Sequence, residues 1–131
     1  MIECLILGDS IAVGVAQHRP ECEVHAKVGI NSSNWIDRNI TRELSAKTVI
    51  ISLGSNDSKK MKTLKELFTL REVIDAKRVY WIVPAVNAEA QAAVKIVAGK
   101  FEDKILIIPH LSKDKVHPTT TGYKELANST R

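Results

Sequence analysis

Four short segments of the sequence carry residue types that do chemistry together. Gly8-Asp9-Ser10 offers a serine hydroxyl just after a glycine, and Gly54-Ser55-Asn56-Asp57 offers a side-chain amide. Asp114-Lys115-Val116-His117-Pro118 sets a carboxylate three residues before an imidazole, and Gly29 stands in Val28-Gly29-Ile30-Asn31. A serine hydroxyl is a weak nucleophile at neutral pH and needs a base within about 2.6–3.2 Å. His117 is the candidate base, Asp114 the candidate to hold its tautomer and stabilise the imidazolium. The developing oxyanion needs donors, and the N–H groups of Ser10 and Gly29 and the amide of Asn56 are the candidates. The set describes nucleophilic acyl transfer.

Each residue alone has a blander reading. Asp9 or Ser10 can be a helix N-cap, Asn56 or Asp57 a turn or cap residue, and Gly29 a turn glycine. Together they are not accidental. At average residue usage, Gly-Ser-Asn-Asp matches by chance in about one chain in a thousand of this length, and Asp-x-x-His-Pro adds a further factor of about a hundred.

Such residues act only if the chain gathers them at one place. Glu3–Leu7, Thr48–Leu53, Arg78–Val83 and Lys104–Ile108 are nearly continuous apolar runs, the pattern of parallel strands covered on both faces. Cys22–Val28 alternates more weakly, as an edge strand would. Between them, Ile11–His18, Ser33–Leu44, Thr63–Ala76, Ala88–Gly99 and Thr119–Ala127 read as helices, with Arg19-Pro20 ending the first and Gly99 expected as the C′ glycine of the fourth. Alternating strands and helices with right-handed crossovers predict a three-layer α/β/α sandwich, a flavodoxin-like five-stranded parallel sheet of order 2-1-3-4-5. In such a sheet ligands bind beyond the carboxyl ends of the strands, where all four motifs fall. The length of 131 residues predicts a single domain, 1–131.

Composition removes other classes. Nineteen Lys and Arg against 15 Asp and Glu leave a net charge of +4, too mild for a dedicated nucleic-acid-binding face. No apolar run approaches the roughly 18 residues of a membrane span. Met1-Ile2-Glu3-Cys4-Leu5 reads as a first strand and not an export signal, so a cytoplasmic setting is expected. Two cysteines make no disulfide framework and no metal spacing. Cys4 and Cys22 are expected as small buried hydrophobes, able to pair if they lie on adjacent strands.

These blocks resemble the SGNH (GDSL-type) hydrolases, whose invariant letters fall on Ser10, Gly29, Asn56 and His117. The resemblance spans essentially the whole chain, with the Gly29 block resting on a single residue. It implies a serine esterase or lipase-like hydrolase, with Ser10, Asp114 and His117 as the triad and Ser10, Gly29 and Asn56 as the oxyanion hole. It implies no metal or organic cofactor. Ile11 stands where the family's first block usually has leucine, a swap of similar volume. Many relatives are longer and build acyl pockets from insertions. The short connections here therefore favour a small acyl group such as acetyl, on an accessible small-molecule or carbohydrate ester, as an acetylesterase would take.

Around this core, Asp9, Trp35, Val86, Asn87 and His110 are further candidates for substrate contact. Asn87 is also a candidate N-cap, Trp35 a candidate core residue and His110 a rival base that lacks the Asp-x-x-His spacing. Lys59, Lys60, Lys62 and Lys65 follow Asn56 as a solvated face or an attractor of anionic substrate. Two rival readings are a non-catalytic carbohydrate-binding or virion-structural module keeping the same fold, and a phosphate site at the Gly8-Asp9-Ser10 helix start. The intact Ser–Asp–His set speaks against the first, the lack of a glycine-rich cradle against the second.

Overall fold

The computed structural model describes residues 1–131. Strands and helices alternate strictly: β1 (Ile2–Gly8), α1 (Ser10–Ala16), β2 (Glu23–Ala26), α2 (Ser32–Asn39), β3 (Ser45–Ser52), α3 (Thr63–Glu72), β4 (Asp75–Val83), α4 (Ala88–Lys100), β5 (Lys104–Ile107) and α5 (Thr120–Ser129). All strand pairs are parallel and the order is β2-β1-β3-β4-β5. The chain leaves β1 toward one edge and later returns to pair β3 on its other side. The switch point of the sheet therefore lies between the carboxyl ends of β1 and β3. Ser10 and Asn56 follow those two strands.

Side-chain alternation divides the core in two. Leu5, Leu7, Val49, Ile51 and Trp81 pack under α2, α3 and α4, against Trp35, Leu67, Leu70, Val94 and Val97. Cys4, Ile6, Ile50, Tyr80 and Ile82 pack on the other face against Ile11 and Val15 of α1 and Leu126 and Ala127 of α5. Each Val, Leu or Ile among them contributes about 1.5–3 kcal/mol when fully buried. The rim that carries the motifs thus stands at the ends of buried, closely packed strands.

Four expectations are corrected. The second helix stops at Asn39 instead of Leu44, and the third at Glu72 instead of Ala76. β4 takes Asp75 and Ala76 because they pair with Ser45 and Ala46 of β3, and the ladder outweighs the helical period. Gly99 lies inside α4, and the left-handed residue after that helix is Glu102 (φ 57°). β5 is not covered on both faces. It lies at the edge, as the predicted order places it, and Ile105 and Ile107 stay 43% and 65% exposed on the side that α4 only partly reaches.

Cys4 and Cys22, expected as separate buried hydrophobes, form a disulfide between β1 and the segment leading into β2. Closing a loop over a separation of 18 residues restricts the unfolded chain, a contribution of about 3 kcal/mol. Reduction under non-denaturing conditions is expected to lower the unfolding free energy by about that amount, measured in urea. A loss below about 1 kcal/mol would show that the bond does not act through loop closure.

Candidate active site

Gly8 ends β1 with φ 140°, and the next backbone N–H, that of Asp9, donates to the Ser52 carbonyl on β3 at 3.0 Å. The chain turns there directly into α1. Asp9 caps the helix, its Oδ1 accepting from Ile11 N–H (3.1 Å) and from Ser52 Oγ (3.0 Å). With the cap supplied by Asp9, Ser10 becomes the first helical residue and its side chain is left for other work.

That side chain meets the loop between β5 and α5. Ser10 Oγ lies 2.9 Å from His117 Nε2, and His117 Nδ1 lies 2.6 Å from Asp114 Oδ2. Asp114 Oδ1 accepts from Ser112 Oγ and from the backbone N–H groups of Val116 and His117, all at 2.8–2.9 Å. Those bonds, with the imidazole, hold the Asp114 carboxyl well below the usual carboxylate range, the His117 backbone N–H being the largest cause. An ionised Asp114 accepts only, so Nδ1 carries the imidazole proton and Nε2 is the acceptor for the Ser10 hydroxyl. Ser112 N–H bonds to the His117 carbonyl and Thr119 N–H to the His110 carbonyl, closing the loop on itself.

The candidate donors Gly29 and Asn56 are tied to one another through the turn that follows β2. Lys27–Ile30 is a turn closed by Ile30 N–H on the Lys27 carbonyl, with Gly29 at φ 81°, a conformation that favours glycine. Lys27 N–H in turn bonds to the Gly8 carbonyl at 2.9 Å, tying this turn to the end of β1. Asn56 donates one Nδ2 hydrogen to the Ile30 carbonyl at 3.0 Å, which orients its amide and leaves the second hydrogen free. The N–H groups of Ser10 and Gly29 have no acceptor within the chain. Asp57, beside Asn56, is a buried junction. Its side chain accepts from Ser32 N–H (2.8 Å) and Thr63 Oγ1 (2.7 Å), and its carbonyl accepts from Asn87 Nδ2 (2.9 Å).

The secondary candidates separate on burial. Asp9 is fully buried beneath the rim, so the expected substrate contact is corrected to a cap. Trp35 is fully buried with Nε1 donating to the His25 carbonyl, so it is a core residue and no stacking wall. Asn87 caps α4, accepting from Ala90 N–H, and straps that helix to Gly54 and Asp57. Val86 is half-buried beside it. His110 is turned away from Ser10 toward Glu125 on α5 (2.9 Å), which removes it as rival base. Three supporting residues carried no sequence signal: Ser52 under Asp9, Ser112 under Asp114, and Tyr123. The Tyr123 ring lies against α1, 2.3 Å from where a Cβ at Gly14 would stand. Burial, then the Asp9 and Asp114 carboxylates, push its phenol pKa up.

Burial also pushes the Asp9 carboxyl up from 3.8 to about 6. Its Oδ2 has no partner, which explains why desolvation outweighs the Ser52 and Ile11 hydrogen bonds. In the unfolded chain Asp9 ionises near pH 4, while the folded chain resists until about pH 6. Its contribution to stability is therefore fully present below pH 4 and lost as pH rises through 6, about 2–3 kcal/mol in all. Asp9→Asn keeps the Oδ1 acceptor and is expected to abolish that slope. Unfolding free energies of parent and variant at pH 4 and pH 7 check this, and parallel profiles would refute it.

No family model and no curated protein matches the chain by sequence. Solved structures do match by shape. A candidate acylhydrolase of Bacteroides fragilis superposes with a TM-score of 0.72 at 18% identity, covering 96% of this chain and 83% of that one. A candidate GDSL-like lipase of Bacteroides uniformis gives 0.68 at 12% identity over 97% and 92%. The C-terminal catalytic domain of Streptococcus pneumoniae peptidoglycan O-acetyltransferase A, with a methylsulfonyl adduct, gives 0.63 at 17% over 98% and 89%. The fold shared with these structures is a five-stranded parallel sheet of order 2-1-3-4-5 between two helical layers, as the order of elements in the sequence predicts. At these identities the likeness is one of fold, and the chemistry rests on the side chains of this chain.

Proposed function

We propose that the chain is a serine-dependent carboxylic ester hydrolase working through an acyl-enzyme. The observation that carries this reading is the continuous bond path from Ser10 Oγ through the His117 ring to Asp114. Ser10 Oγ attacks the ester carbonyl while its proton passes to His117 Nε2, and Asp114 stabilises the imidazolium. The oxyanion is received by the N–H groups of Ser10 and Gly29 and the free hydrogen of Asn56, each worth about 2.7–4 kcal/mol in the transition state. The C–O bond breaks and His117 returns the proton to the departing alcohol. Water, deprotonated by the same ring, then cleaves the acyl-Ser10 ester and restores the hydroxyl.

The site is open, with His117 40% and Asp114 49% exposed at the side chain, which supports a small acyl group on an accessible substrate. An acetylated carbohydrate fits that description. The apolar groove of about 530 Å³ between α3 and α4 is lined by neither Ser10 nor His117. Likeness to the S. pneumoniae peptidoglycan O-acetyltransferase domain favours one variant of the same chemistry, in which a sugar hydroxyl and not water takes the acetyl group. The buried disulfide favours an oxidising compartment over the cytoplasm. No helix is long and apolar enough to cross a membrane.

Labelling with a fluorophosphonate followed by peptide mapping tests the nucleophile. Modification of Ser10 is expected, and an unmodified chain overturns the reading. Nitrophenyl esters of increasing length test the acyl side: turnover should be greatest at acetyl, and a preference for long chains would refute the small-acyl assignment.

A further inference from the structure

Basic side chains without counter-ions crowd the rim beside the oxyanion donors. Lys27 and Arg38 line a hollow of about 130 Å³ whose wall includes Gly29 and Asn34. The same two residues, joined by Arg42, line an adjoining groove of about 300 Å³ along the edge strand β2. None of the three forms an ion pair, since those of the chain use Arg19, Lys47, Arg71, Arg131 and three histidines. Arg42 is oriented by its Nε–H on Asn39 Oδ1 at 2.9 Å. Glu23, a carboxylate of β2, is engaged by His25. In the two other loops of the candidate site, Lys59 and Lys60 follow Asn56 in the sequence and Lys113 and Lys115 flank Asp114, exposed and likewise without ion pairs.

Isolated surface lysines need no explanation. Here two cations share one concave wall with Gly29, a candidate oxyanion donor. A guanidinium offers a planar fork that matches carboxylate and phosphate oxygens, and an ammonium adds a movable point charge. Like charges around one mouth also raise the local concentration of an oppositely charged substrate.

We infer that the Lys27–Arg38 hollow is a specificity subsite for the negatively charged group of an anionic ester, a carboxylate or a phosphate carried beside the scissile bond. The inference rests on the ester-hydrolase reading for its catalytic consequence, but the hollow binds its anion whether or not Ser10 turns over. Lys27 and Arg38 hold the group while the Lys59–Lys60 and Lys113–Lys115 flanks draw it in.

The test compares anionic esters with neutral partners in the parent chain and in Lys27→Gln/Arg38→Gln. On the alcohol side, 4-acetoxybenzoate and 4-acetoxyphenyl phosphate are measured against phenyl acetate. On the acyl side, mono-4-nitrophenyl succinate is measured against 4-nitrophenyl acetate. At low ionic strength at least one anionic ester should exceed its neutral partner in kcat/KM by about tenfold or more. That ratio should fall with added salt and to within about twofold in the double variant. The carboxylate and phosphate arms tell the two anions apart. A smaller preference in every arm, or one that survives in the double variant, overturns the inference. If no ester is turned over at all, the hydrolase reading fails and binding decides the subsite. Calorimetry with the unreactive amide 4-acetamidobenzoate against acetanilide should then show selective binding of the anion, lost in the double variant. Equal binding or none overturns it.

Discussion

Alanine at position 10 is expected to lower kcat for a small ester by about 10⁴–10⁶ while leaving the protein folded. The magnitude follows from the proposed mechanism, in which the three hydrogen-bonded side chains act as one unit. With the nucleophile gone, a correctly held imidazole has only water to activate, and residual catalysis comes from the oxyanion donors. The fold should be indifferent to the change. The only side-chain bond of Ser10 is to His117, and the cap of α1 belongs to Asp9. A substitution that removes no core contact and no cap costs at most about 0.5 kcal/mol. Steady-state kinetics paired with a melting curve separates the two statements. Full activity in a folded Ser10→Ala protein would remove Ser10 from the chemistry.

The largest effect on stability is expected two residues earlier. A Cβ on Gly8 would stand 1.8 Å from the Ser52 carbonyl oxygen and 2.7 Å from its carbon. Both are backbone atoms of the adjacent central strand, so no side chain can swing aside. The φ of 140° adds a conformation that a residue with a side chain resists. Gly8→Ala must therefore push β1 away from β3 at their carboxyl ends. The expected loss is about 4 kcal/mol or more, a fall in Tm of about 10 °C or beyond. The same shift would move Asp9 from Ser52 and Ser10 from His117, so activity should fall together with stability. A Gly8→Ala protein melting within about 3 °C of the parent would mean that the strand ends tolerate separation.

Much of this was legible in one dimension. Continuous apolar runs identify buried parallel strands, since only strands covered on both faces need no polar alternation. The central three behave that way. β5 misleads because its Ile105 and Ile107 are as apolar as their neighbours, so its run reads as covered on both faces although the predicted order puts it at an edge. The boundary between α3 and β4 is a second case. Val73-Ile74 satisfies a helical stripe as well as a strand approach, and the pairing of Asp75 and Ala76 with β3 decides it. Asp9 shows the limit for side chains: a charged residue in a motif reads as a contact for substrate, while its full burial depends on Ser52, 43 positions away.

The amino-acid sequence alone determined the order of elements, the class of sheet and the four blocks that supply the candidate site. These depend on local periodicity and on residue type, which neighbours in the chain impose on one another. Tertiary structure alone decided which groups meet. The 2.9 Å approach of Ser10 to His117 spans 107 positions, the Asn56 amide is aimed by a carbonyl 26 positions back, and Cys4 finds Cys22 only because their two segments lie side by side. Contacts of that range are set by strand order and crossover handedness, which bring the carboxyl ends of β1 and β3 to a single rim. The physical reason is that a hydrogen bond or a cationic hollow depends on separation in space, and separation along the chain constrains it only through the fold.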